Sequence, residues 1–91
     1  MKYTVNTFLA TKVAFMNELY EQYGGDWKGL KSLLELDPRL GTSHFDVPGP
    51  DGERGFGGAC FPKDVQAFLK FTSNEMSVLD KAQSANKKWR A

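Results

Sequence analysis

Three observations predict an all-α domain for this sequence. Apolar residues recur every three or four positions through both ends of the chain. All four prolines and six of the nine glycines fall between positions 38 and 62, leaving helix-forming residues on either side. No stretch of useful length alternates apolar and polar residues with the period of two that a half-buried strand needs. The pattern predicts about four helices, at approximately 4–23, 26–36, 62–73 and 75–90, and a long ordered Gly/Pro-rich loop at 37–61.

The first helix rests on Val5, Phe8, Leu9, Val13, Met16, Leu19, Tyr20 and Tyr23, an amphipathic stripe about five turns long. Ala14 and Phe15 lie off that stripe and give the helix a second apolar face. Gly24-Gly25 is its stop signal. Asp26 is placed to cap a second helix, which buries Trp27, Leu30, Leu33 and Leu34 and ends at Asp37-Pro38. Pro62 suits the first turn of a third helix, and Asp64 beside it complements the helix dipole. Val65, Phe68, Leu69 and Thr72 face inward from it. Ser73 or Asn74 is expected to cap the last helix, which carries Met76, Leu79, Ala82, Ala85 and Trp89. Lys81, Lys87, Lys88 and Arg90 read as its solvated end.

Composition bounds what such a domain can do. The chain has 91 residues, enough for one domain. Twelve Lys and Arg against eleven Asp and Glu leave a net charge of +1, without the basic footprint of a nucleic-acid binder. Its apolar runs are far shorter than the ~20 residues that cross a bilayer, and no secretory leader pattern opens it. A single cysteine fits a reducing, cytoplasmic setting. His44 has no second histidine and no metal-ligand spacing beside it, so it reads as a surface or hydrogen-bonding residue, and no metal is expected.

The loop is too long for a connector and too aromatic, with Phe45, Val47, Phe56 and Phe61, for a disordered linker. It reads as an ordered binding loop. Within Gly55-Phe56-Gly57-Gly58-Ala59-Cys60-Phe61-Pro62-Lys63-Asp64, three glycines let backbone amides approach a ligand closely. Amides that feed a helix N-terminus suit an anion or a developing oxyanion. Cys60 stands beside that helix start with Lys63 nearby, and both features favour thiolate. A lone cysteine is otherwise an inert small hydrophobe; on local chemistry alone the two readings stand level.

This ten-residue segment resembles the active-site cysteine motif of the UDP-glucose/GDP-mannose dehydrogenase family, most closely its UDP-glucose-oxidising branch. Lys2-Tyr3, Asn6-Thr7 and Ala14-Phe15-Met16-Asn17-Glu18-Leu19 are similar to the start of that family's central helix. Asp37-Pro38-Arg39-Leu40-Gly41 is similar to its Asp-x-Arg-Ile-Gly turn. Ser43-His44 and Val47-Pro48-Gly49-Pro50-Asp51-Gly52 fit its long-loop bacterial variant, and Asn86 with Trp89-Arg90 fits the connector toward a C-terminal domain.

The resemblance implies a helical, dimer-forming central domain set between two Rossmann-like domains. It implies a two-step, NAD-dependent oxidation of a sugar-nucleotide's primary alcohol to a carboxylate. Cys60 would trap the aldehyde as a thiohemiacetal that is oxidised to a thioester. Lys2 and Asn6 would stabilise oxyanions, and Asp64 would orient water or assist proton transfer. Gly55, Phe56, Gly57 and Gly58 would cradle the UDP-sugar, Lys63 would support them, and Arg39 would reach a sugar on the partner subunit. No Gly-x-Gly-x-x-Gly fingerprint occurs in these residues. NAD is therefore expected only through a domain outside them, supplied in trans or lost, and this chain alone is expected to oxidise nothing. A homodimer built on the first helix is expected, because apolar residues on two faces are poorly covered in so short a chain. A non-catalytic dimerisation or sugar-nucleotide-binding module of the same origin is the alternative.

Overall fold

A computed structural model describes residues 2–58 and 61–90. Among them are four helices and no strand, so the domain is all-α: α1 (Lys2–Tyr23), α2 (Trp27–Glu35), α3 (Phe61–Phe71) and α4 (Ser77–Trp89). Helix α1 is the shaft of the fold, with α3 and α4 packed against it and against each other.

The face that α1 turns to its neighbours differs from the expected stripe. Its buried residues are Thr7, Ala10, Ala14, Met16 and Asn17, mostly small or polar. Phe8 and Phe15 remain 68% and 60% exposed. Size explains the departure at Phe8: alanines let α3 and α4 approach the backbone of α1, whereas a phenylalanine would hold them off. The buried Thr7 hydroxyl is satisfied by donating to the Tyr3 carbonyl one turn back, at 2.6 Å.

The core has two parts. Ala10, Ala14, Phe56, Val65, Leu69, Leu79 and Ala82 form one between the three packed helices, flanked by Val13, Phe61, Phe68 and Trp89. Met16, Trp27, Phe45 and Val47 form the other, flanked by Leu19, Leu30 and Leu34. Helix α2 joins the body through Trp27, whose indole donates to the Phe45 carbonyl at 2.9 Å and meets Tyr20 edge-on. The loop thus supplies Phe45, Val47 and Phe56 to the core, which is why it is packed although it contains neither helix nor strand among its described residues.

Helix ends also differ in detail. Asp26 occupies the N-cap position of α2 but makes no capping bond with its side chain. Its exposed carboxylate lies near Gly29, where an added Cβ would come within 2.8 Å and displace it. Ser73 and Asn74 do not cap the last helix. Both take left-handed backbone angles and terminate α3, with the Asn74 amide donating to the Leu69 carbonyl at 2.8 Å. Helix α4 begins only at Ser77, after Met76.

Candidate functional site

A cleft of about 350 Å³ opens over the glycine stretch. His44, Asp51, Phe56, Phe61 and Arg90 line it together with Gly55, Gly57 and Gly58. What gives the stretch its shape is a set of side chains from the two flanking helices. From α1, the Asn17 carboxamide oxygen accepts from the Gly55 amide at 3.0 Å and from Arg54 Nε at 3.2 Å. From α4, the Asn86 carboxamide accepts from the Phe56 amide at 2.6 Å and donates to the Phe56 carbonyl at 2.9 Å. Both asparagines are buried, so each bond is made away from competing water.

Arg90 completes the frame. Its Nε donates to the Arg54 carbonyl at 2.7 Å, and its Nη1 pairs with Asp51 at 2.8 Å. The expected solvated helix end is therefore wrong for Arg90: one turn beyond Asn86, it folds back over the loop instead of extending into water. The bond from Arg90, with the Glu53 amide behind it, holds the Asp51 carboxyl below its ordinary range. Arg54 lies between the rings of Tyr20 and Trp89 and pairs with Glu21 at 2.6 Å. The Trp89 indole donates to that same Glu21 oxygen, and the two hydrogen bonds lower its pKa.

Two of the expected site residues meet. Asn6 on α1 and Asp64 in the first turn of α3, 58 positions apart, share a hydrogen bond of 2.6 Å from the Asn6 carboxamide to Asp64 Oδ2. Asp64 is only 3% exposed. Lys2 is exposed one helical turn before Asn6, on the same side of α1. Neither Asn6 nor Asp64 lines the cleft. Lys63 is exposed at the start of α3, and Arg39 is exposed and forked onto its neighbour Asp37, at 2.6 Å for the Nη2 bond, away from the cleft lining. Cys60 lies outside the described residues.

His44 is less superficial than its sequence context indicates. It lies 5.7 Å from the Phe61 ring in a stacked arrangement, and its Nδ1 is 2.8 Å from the Ser43 hydroxyl. Burial, with the charge of Lys12 nearby, lowers its pKa.

The family model for the UDP-glucose/GDP-mannose dehydrogenase family, central domain, matches residues 1–88. The chain belongs to that family. Among relatives of the central domain, a UDP-glucose 6-dehydrogenase of Rickettsia bellii is 42% identical over 93 residues, covering 96% of this chain and 20% of the relative. A putative UDP-glucose 6-dehydrogenase of Bacillus subtilis is 44% identical over 81 residues, covering 86% of this chain and 18% of the relative. A UDP-glucose 6-dehydrogenase of Pseudomonas aeruginosa is 44% identical over 72 residues, covering 76% and 15%. The chain thus spans about a fifth or less of the length of these dehydrogenase-family relatives.

Asn17, Asn86, Arg54 and Glu21 were not singled out as site residues by sequence. Asn17 falls in register with Ala10 and Ala14 on the inner seam of α1, and that register, with its place in the segment similar to the family's central helix, is the signal that could have drawn it inward.

Proposed function

We propose that this chain is the substrate-binding and dimer-forming central domain of a UDP-glucose 6-dehydrogenase-type enzyme. The observation that carries the reading is the Asn6–Asp64 hydrogen bond, which joins two distant motif residues at the helix start that follows the glycine stretch. The framed Gly55–Gly58 backbone and the family match support it.

In this reading the cradle receives the diphosphate and sugar of a UDP-sugar. The Cys60 thiolate would add to the aldehyde carbon of a sugar whose primary alcohol has already been oxidised by a domain outside these residues. A sulfur–carbon bond forms as the carbonyl π bond opens, and the resulting oxyanion is stabilised by the Lys2 ammonium and the Asn6 carboxamide before it takes a proton. Asp64 holds Asn6 in orientation and positions water. NAD, the cofactor this family implies, does not fit on the described residues, which offer no strand leading into a phosphate loop. No step through it is derived for this chain. The outer face of α1, with Phe8 and Phe15 exposed, pairs with a second copy.

Complementation tests the reading. The chain is mixed with a separately produced NAD-binding domain from one of the relatives, UDP-glucose and NAD, and NADH is followed by absorbance. Expected is NADH formation with release of the sugar acid, a release that Cys60→Ser abolishes. Wild-type activity in Cys60→Ser overturns the thiol's role, and UDP-glucose binding without any turnover favours the non-catalytic module.

A further inference from the structure

We propose that Asn86, backed by Arg90, is the positioning residue for the glycine cradle. The inference rests on the reading of Gly55–Gly58 as a sugar-nucleotide site and adds to it the device that sets its geometry. Asn86 grips one peptide position from both sides, taking the Phe56 amide at 2.6 Å and giving to the Phe56 carbonyl at 2.9 Å. A side chain that replaces both partners a β-strand would supply fixes the φ and ψ of Phe56 and so the direction in which the next amides point. One turn later on the same face of α4, Arg90 donates to the Arg54 carbonyl at 2.7 Å and, more weakly, to the Gly55 carbonyl at 3.3 Å.

The glycines are matched to this grip. Gly55 adopts φ +78, and a Cβ there would collide with Asn86 Oδ1. At Gly57 a Cβ would run into the Arg90 guanidinium. Both positions must therefore lack a side chain for the clamp to close, which gives these two glycines a cause beyond ligand access. Asn86 is buried and far from the Asn6–Asp64 pair along the chain, and it acts on ligand only through the Phe56 backbone.

The test combines amide hydrogen exchange by NMR with calorimetric titration of UDP-glucose, on the full chain and on Asn86→Ala. Expected is at least about tenfold faster exchange at the Phe56 amide, with Ala10 and Leu69 unchanged, and UDP-glucose binding weakened about tenfold. Leu34→Ala, a truncation on α2 against the other part of the core, controls for lost stability and is expected to leave UDP-glucose affinity within about twofold. Uniform acceleration at all three amides, or unchanged affinity despite selective loosening, overturns the proposal. Should Asn86→Ala not fold, Asn86→Asp keeps the acceptor but opposes a carboxylate to the Phe56 carbonyl, and the same selective pattern is expected. If the wild-type chain binds no UDP-glucose, the ligand reading fails, and exchange alone decides: selective loosening at Phe56 supports the clamp and uniform loosening overturns it.

Discussion

His44 lines the cleft and is the side chain there whose ionisation is expected to tie stability to pH. Its ring stacks on Phe61, at the start of the helix that carries Asp64, and its pKa is lowered first by burial and then by Lys12. A base whose folded pKa is depressed is neutral in the fold, so the unfolded chain binds more protons below the ordinary histidine value of about 6.5. Stability is therefore retained above that value and declines as pH falls through it toward the lower folded pKa. Thermal unfolding between pH 7.5 and 5.5 is expected to show this decline in wild type and to lose it in His44→Phe, which keeps a ring against Phe61. Only part of this residue-scale chemistry was legible in the sequence. The family resemblance pointed to Asn6 and Asp64 through two separate segments, and the two residues do meet. Asn17 and Asn86 went unread as framing residues because a buried, fully bonded asparagine looks like a solvated one until its partners are known.

At the scale of elements, α1 separates apolar content from burial. Counting apolar positions predicts Phe8 as inward, but the seam that meets α3 and α4 is built on Thr7, Ala10, Ala14 and Asn17. Periodicity locates a helix because it depends on backbone geometry alone; which face goes inward depends on the bulk its neighbours can accept, and that is a tertiary property. The helices themselves were legible for the same reason, and their ends less so. Gly24 stops α1 at φ +67 as its position suggests, whereas Ser73 and Asn74 end one helix rather than begin the next. Enlarging the seam tests this account. Ala10→Leu and Ala14→Leu, at positions almost fully buried, are each expected to cost about 1–3 kcal/mol through overpacking. In a chain of this size each kcal/mol lowers the midpoint of thermal unfolding by about 4–8 °C, readable by circular dichroism.

For the whole molecule, the side of α1 that remains outward is the face on which the proposed pairing is tested. Phe8 and Phe15 lie two turns apart on it, and Phe15 borders a groove shared with Val78 and Ala85 of α4. Exposed aromatic rings beside a groove of mixed lining are what the proposed two-fold pairing would cover. Light scattering at micromolar concentration is expected to give a dimer for the wild type and a monomer for Phe8→Glu combined with Phe15→Glu, with helix content preserved. A wild-type monomer would count directly against the pairing. The loop carries a different consequence at this scale. Since Phe45, Val47 and Phe56 are buried among residues from α1 to α4, the helices cannot reach their final packing until that stretch has settled between them. Bundle packing and the shape of the cleft thus rest on the same residues, so a substitution that frees Phe56 from the core is expected to disturb both.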